Sequence, residues 1–316
     1  MVREKMEKNL EKIRRNKKII LKKTQEFFLN SKFLTPKIGC ELEFFLLDET
    51  SRKPANQGLV GDFIFDLCGE LKKKFPLFYQ VEKEQGASQI ELKTIFTSDL
   101  SRLCEEIDGC KKFIKNLAAE KKLIASFAAQ PFANDCGSAL QFNISLHDEG
   151  GKNIFESDKN ILHKTASTLL HHTNSMMIFL SPKTEDYERF SFALNRNLFQ
   201  QGKFTAPVNL SFGADNRTCA IRIPSTKETT SEIVCGKRLE YRVAAADADP
   251  TLCISAILLS ISDGLLSEKN SFAQIFGNAF DEQYQLQKIC ESVEDAVEEF
   301  LKEGNFIRKN FEEFLR

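Results

Sequence analysis

The chain has no tryptophan, and only four histidines, four methionines and four tyrosines in 316 residues. The histidines, His147, His163, His171 and His172, are too few and wrongly spaced for a zinc site, which leaves them to helix packing or surface. The nine cysteines contain no C-x-x-C pair. An odd, dispersed set reads as reduced thiols, most of them small core residues, in a cytosol-like compartment. No apolar run approaches the ~20 residues of a membrane span. The basic N-terminal stretch lacks the sustained apolar segment of a signal peptide. Charge of neither sign dominates, with 44 Lys and Arg against 45 Asp and Glu, so there is no global nucleic-acid footprint. These absences imply a cytoplasmic chain that acts on small molecules, with neither nucleic acid nor membrane as partner. The length suits one large domain or two small ones.

Three zones are present. Residues 1–36 form a basic helical leader, in which Met6, Leu10, Ile13, Ile20 and Phe27 fall at heptad-like steps and Lys17 and Thr24 occupy the steps between. This favours a helix lying on the main domain over an oligomer contact or a basic surface arm. Residues 37–316 form the main domain, with helices expected near 62–75, 99–121, 157–182 and 250–266. Its end, 281–316, is acidic and helical, with Val293, Val297, Phe300, Leu301 and Ile307 as its apolar stripe. There is no repeat, low-complexity tract or flexible linker.

The strands carry the chemistry. In Gly39-Cys40-Glu41-Leu42-Glu43-Phe44, a side-chain period of two puts Glu41 and Glu43 on one face and Leu42 and Phe44 on the other. The same alternation groups Gln89, Glu91 and Lys93; then Gln141, Asn143 and Ser145; then Arg238, Glu240 and Arg242. Arg222 stands between Ile221 and Ile223. A half-buried strand with its acids in water would explain any one segment. Several such segments imply an α+β fold: a curved antiparallel sheet lines a polar cavity, and helices pack outside it. Adjacent carboxylates on apolar strands need cations, and arginines beside them suit phosphates.

At these residues the chain resembles the catalytic domain of glutamine synthetase. The resemblance rests on an ordered set: Glu41/Glu43; Glu84 through Glu91 (EQGASQIE); Gly137 through Leu146 (GSALQFNISL); Ala206-Pro207-Val208-Asn209-Leu210; Asn216-Arg217-Thr218 through Pro224; Arg238 through Arg242; and Asp249-Pro250-Thr251-Leu252. It runs from about residue 37 to the C-terminus. It implies an ATP-dependent ligase that phosphorylates a carboxylate and lets an amine displace the phosphate, with Mg²⁺ or Mn²⁺ bound. It implies Glu43, Glu84 and Glu91 on one ion, and Glu41 and Glu240 on a second. Arg217 and Arg222 would hold phosphate, Arg238 and Ser145 the nucleotide, and Arg242 and Gly137 the region of the substrate carboxylate. Arg217 and Arg242 would be the catalytic arginines. These arginines would equally serve as structural partners of the same glutamates.

The departures fall on the amine half. The histidine ligand of the second ion is replaced by Gln141, a neutral amide donor, and a second histidine by Asn143. Thr205 stands where the family has an acid before Ala-Pro. The family's α-carboxylate arginine falls in the Asn195–Phe199 stretch, where Arg196 is out of register. Only the short leader precedes Glu41, so the family's β-grasp domain is not expected, which leaves homo-oligomerisation open and puts the usual ring in doubt. The expected function is a glutamine synthetase-like carboxylate–amine ligase with an altered amine and amino-acid site. The alternatives are a non-catalytic nucleotide- or metabolite-binding paralogue and another phosphotransferase of the wider fold.

Overall fold

The computed structural model describes residues 2–32, 34–225, 236–266 and 272–316. An eight-stranded open sheet organises the chain. Its longest strand, β1 (Thr35–Asp48), pairs antiparallel with β3 (Gln89–Thr94) on one side and β5 (Leu140–His147) on the other. Strand β2 (Phe78–Lys83) lies outside β3, and β4 (Leu123–Ser126) pairs with the C-terminal end of β1. Beyond β5 come β8 (Leu239–Tyr241), β7 (Ile221–Ile223) and β6 (Phe212–Ala214), giving the order β2-β3-β1-β5-β8-β7-β6. The sheet departs from the expected pattern once: β6 and β7 run parallel.

One face of the sheet is the hydrophobic core. Leu42, Phe44, Ile90, Leu92, Phe142, Ile144 and Leu239 are fully buried there against helices. The helices after the leader are α3 (Gln57–Lys74), α4 (Leu100–Glu120), α5 (Ile154–Ser157), α6 (Lys159–Leu180), α7 (Phe192–Gln200), α8 (Pro250–Leu266), α9 (Val293–Leu301) and α10 (Phe306–Phe314). Their starts follow capping chemistry: Asn56, Asp99, Asp158, Ser292 and Asn305 each accept a backbone N–H from the first turn. Helix α8 is apolar all round, and accordingly packs against neighbours on several sides. The acidic, helical end expected over 281–316 consists of two short helices, α9 and α10, preceded by a turn of 3₁₀ helix at Glu282–Tyr284.

The leader is two helices, α1 (Val2–Arg15) and α2 (Lys17–Lys32), hinged at Asn16. Helix α2 packs on α8, and Leu10, Ile13, Ile20, Leu21 and Phe28 belong to the same core cluster as the sheet. Burial of each such side chain contributes about 1.5–3 kcal/mol. Lys17, at a step where an apolar residue would be expected, reaches Asp249 at 2.6 Å and Asp108 at 3.4 Å. Asp249 also accepts the Thr251 N–H at 2.9 Å. Its place in the Asp-Pro-Thr-Leu motif is therefore filled by two structural tasks, capping α8 and anchoring α2. Of the eight described cysteines, seven are buried and Cys68 is exposed.

Candidate active site on the polar face of the sheet

Register turns the sequence alternation into a lattice of charge. One rung runs Glu82–Glu91–Glu43 across β2, β3 and β1. The next rung runs Gln80–Lys93–Glu41–Gln141 across β2, β3, β1 and β5. A third joins Gly39, Asn143, Glu240 and Arg222 across β1, β5, β8 and β7. Directly paired residues share a face. Glu41, Glu43, Glu91, Gln141, Asn143, Glu240 and Arg222 therefore lie on the side opposite the core.

Glu43 is the most constrained acid. It is buried, and its carboxylate accepts N–H groups from Ala139 at 2.9 Å, Gln141 at 2.5 Å and Gln89 at 3.2 Å. Burial and then the charge of Glu84 push its pKa up to about 7, despite those donors. Burial and the charge of Glu41 push Glu91 well above the usual carboxylate range. Such shifts mark carboxylates that are costly to keep charged away from water.

Glu84 reaches the site from a loop, and Gly86 lets that loop close. A Cβ on Gly86 would stand 2.4 Å from the Phe45 ring and 2.8 Å from Gln89 Oε1. The loop is tied down by Gly86 N–H to Gln89 Oε1 at 3.1 Å, Ala87 N–H to Asp135 at 2.8 Å and Ser88 Oγ to Leu46 O at 2.5 Å. Glu43 and Glu84 then face a polar pocket of about 40 Å³, lined also by Gly137, Gln141, Thr205, Arg217 and Arg242. A volume of this size holds an ion or one or two waters. Gln141 Oε1 is buried and has no hydrogen-bond partner. Carboxylate oxygens with an orphaned amide oxygen are a hard-donor set, and a divalent cation fits them. Among the described residues, no three His, Cys, Asp or Glu side chains form a preassembled metal cluster.

The other site residues fall around this pocket. Glu41, Glu91, Glu240, Ser145, Arg222 and Arg238 do not line it. Glu41 accepts an N–H from Asn143 at 2.9 Å. Glu240 lies between two arginines, with Arg222 Nη1 at 2.8 Å and Arg242 Nε at 3.2 Å. Arg242 further donates to the carbonyl oxygens of Arg217, Cys219 and Thr205, so it pins two loops to the sheet. Arg217 lies over the Phe204 ring, 4.1 Å from its centre. Arg238 donates to Asn143 Oδ1 at 3.0 Å, while its Nη1 is buried without a partner, and a phosphate oxygen fits that donor. Ser145 faces the Lys37 carbonyl at 3.4 Å and the His147 ring at 3.1 Å.

Three residues escaped the sequence reading. Arg189 is buried, lines the pocket, and donates to the Val243 and Arg242 carbonyls at 2.8 Å each. Burial pulls its pKa down to about 10. It lies in a 3₁₀ turn, Thr184–Phe190, where no alternation flags it. Asn195 beside it donates to the Arg189 carbonyl at 2.8 Å and accepts the Ala206 N–H at 2.8 Å; Arg196 is exposed. Glu82 completes the acidic rung only through register. Lys93 was visible on its strand face, but not its partners: it contacts Glu82 and stands 2.9 Å from Glu91. Burial pulls the Lys93 pKa down, but the charges of Glu91 and Glu41 outweigh it and raise it above the ordinary lysine value. Next to the polar pocket opens a wider one of about 610 Å³, sharing Phe204, Thr205 and Arg217 and lined further by Phe199 and Asp215.

The architecture is an open, mostly antiparallel sheet with helices on one face and buried acids and arginines on the other. A family model described as the glutamine synthetase catalytic domain matches residues 60–315, and the chain belongs to the glutamine synthetase family. Gamma-glutamylputrescine synthetase of Escherichia coli is 29% identical over 239 residues, covering 73% of this chain and 46% of that protein. Glutamine synthetase of Pasteurella multocida is 29% identical over 240 residues, 71% of this chain and 47% of that protein. Glutamate–methylamine ligase of Methyloversatilis universalis is 29% identical over 211 residues, 64% of this chain and 44% of that protein. The chain thus spans about half the length of the curated relatives it matches. A solved structure described as a GmaS/ADP complex shares the fold, with a TM-score of 0.77, 22% identity, and coverage of 94% of this chain and 72% of that one. No helix of the described residues is long and apolar enough to cross a membrane.

Proposed function

We propose that this chain is an ATP-dependent carboxylate–amine ligase that works through an acyl phosphate and takes an amine other than ammonia. The observation that carries this reading is the Glu43–Glu84 pocket: two acids, one raised to about 7, face the orphaned oxygen of Gln141. A bound Mg²⁺ or Mn²⁺ would neutralise the charge of the transferring phosphoryl group. In this reading Glu43, Glu84 and Glu91 hold the ion. Arg217 and Arg222 hold phosphate oxygens, and Arg238 and Ser145 hold the nucleotide. Gly137 keeps the floor of the pocket open for the substrate carboxylate, because a Cβ there would meet Ala129 O and Arg189 Cγ, each at 2.7 Å. Arg242 orders the Arg217 and Thr205 loops around that carboxylate.

Support for a larger amine comes from the wider pocket, where Phe199 and Phe204 offer apolar surface and Thr205 offers a hydroxyl in place of an acid. The relatives' names include ligases for putrescine and for methylamine. A coupled ADP-release assay with glutamate and a panel of amines tests the proposal. Little or no glutamine is expected from glutamate, ammonia and ATP, because the groups that would orient ammonium are absent. Gln141→His alone is not expected to restore it. Amine-dependent ADP release with a larger amine supports the reading, and robust glutamine synthesis overturns its amine half. The second reading is a non-catalytic nucleotide- or metabolite-binding paralogue. The pairing of Glu240 with Arg222 and Arg242 favours it, since its charge is balanced without a metal ion. Tight Mg²⁺–ATP binding with no ADP release for any amine selects it.

A further inference from the structure

We propose that Asp135 is a positioning residue of this site: its single carboxylate joins the three loops that line the Glu43–Glu84 pocket, and its ion pair with Lys203 holds the covering loop, residues 202–206, in place. The inference rests on the ligase reading above for what the pocket does, and its grounds are geometric. Three loops far apart in the chain line the pocket: one through Glu84 and Gln85, one through Cys136 and Gly137, and one through Phe204 and Thr205. Asp135 belongs to the second loop, is buried, and does not itself line the pocket. Its Oδ2 accepts the Ala87 N–H of the first loop at 2.8 Å. Its Oδ1 accepts the N–H of its neighbour Cys136 at 2.9 Å and the Lys203 ammonium of the third loop at 2.9 Å. Burial alone would raise the Asp135 pKa, but Lys203 and the two N–H groups outweigh it and hold the carboxyl below its ordinary value, so it is an anion at neutral pH.

The covering loop depends on such outside ties. The chain leaves α7 through Gly202, whose φ of 74° is left-handed backbone that glycine adopts without strain. The Lys203 N–H closes that turn on Leu198 O at 3.0 Å. From there to Val208 the chain is neither helix nor strand. Phe204 donates its N–H to Gln85 Oε1, Cys136 Sγ reaches Phe204 O at 3.5 Å, and Arg242 reaches Thr205 O at 3.2 Å. Of these ties, the Lys203–Asp135 pair is the one between two charged groups. Its side chains are 32% and 12% exposed, so water screens it less than a surface pair. The same carboxylate thus fixes the loop that carries Glu84 and the loop that covers it. Asp135 acts on a bound ion or substrate only through those loops.

Hydrogen exchange of the full chain, read by mass spectrometry on peptides covering 84–88 and 202–206, tests this joint without any ligand. Asp135→Ala is expected to speed exchange in both peptides, and Lys203→Met in 202–206 alone, each by about fivefold or more. Lys203→Arg is expected to bring the rate in 202–206 back towards wild type. Mn²⁺ alone, titrated by calorimetry, is the second probe. Its affinity should fall about tenfold in Asp135→Ala, the lower end of what supporting residues of a metal site contribute, and hold in Lys203→Met. Wild-type exchange in either peptide of Asp135→Ala overturns the proposal. So does wild-type Mn²⁺ affinity in a folded Asp135→Ala whose only change is a lower urea midpoint, which is what a purely structural carboxylate would give. If Asp135→Ala does not fold, Asp135→Asn keeps the volume and an acceptor while losing the ion pair: faster exchange in 202–206 supports the proposal, and an unchanged rate overturns it. Wild type that binds no Mn²⁺ breaks the ligase reading of the pocket, and the exchange pattern alone then decides for or against Asp135.

Discussion

The two ends of the sheet face solve the same problem with opposite chemistry. At the β2-β3-β1 end, Glu82, Glu91 and Glu43 form one rung, and Lys93, beside Glu41 on the next, supplies one cation in contact with Glu82 and Glu91. At the β8-β7 end, Glu240 is held by Arg222 and Arg242, with Arg238 nearby on Asn143. At the acidic end burial first, and neighbouring carboxylates second, raise the pKa values of Glu43 and Glu91. The arginine end keeps excess N–H donors, which shows as the partnerless Nη1 of Arg238. The two ends differ in chemistry in the way the proposed ligands do: acids suit a cation, and arginine donors suit phosphate oxygens.

The strongest way to break the comparison is at the arginine end. Arg222→Met leaves the fully buried Glu240 with one partner. Removing half of a buried ion pair costs about 3–5 kcal/mol, so a large fall in the urea midpoint is expected. A midpoint within experimental error of wild type would mean that Arg242 alone suffices.

At the acidic end, Glu43→Ala removes the carboxylate on which three N–H donors converge. Mn²⁺ affinity should fall about 100-fold by calorimetry, the upper end of what even supporting residues of a metal site contribute. Loss of folding instead of affinity would show that the acid is a structural hub only, a distinction circular dichroism makes.

Gly86→Ala sharpens the contrast more gently. The added methyl group meets the Phe45 ring, and the loop must lift Glu84 away from Glu43. About tenfold weaker Mn²⁺ binding with unchanged secondary structure is expected, since overpacking of this kind costs about 1–3 kcal/mol. Unchanged affinity would remove Glu84 from the site.

The smallest effect is that of pH. Folded Glu43 keeps its proton to about pH 7, against an ordinary value of 4.5. Protons therefore compete with the cation, and Mn²⁺ affinity should fall about twofold from pH 8 to pH 7 and more steeply below. The stability linkage without metal has the opposite sign. The folded state binds the proton more tightly than the unfolded one, so this group favours folding at low pH and its contribution is lost as pH rises from 4.5 to 7. Melting curves with and without Mn²⁺ should diverge across that window, and curves that stay parallel would show Glu43 to be ionised throughout.

Local geometry is legible in the residues alone. Period-two alternation placed Glu41 with Glu43, Gln89 with Glu91 and Lys93, and Gln141 with Asn143, because successive side chains of any strand point to opposite faces. Ordered motifs carried the family, and apolar spacing located α4, α6 and α8 to within two residues. Register and loop closure come from packing between distant segments. That Glu43 lies opposite Glu91, and Lys93 opposite Glu41, depends on which residues of separate strands pair. Pairing is fixed by the whole core, not by either strand. Arg189 came from a 3₁₀ turn with no periodicity, and Glu84 from a loop that closes only because Gly86 has no side chain. Alternation is a property of one segment, whereas a site is a property of the distances between segments, and long-range packing sets those distances.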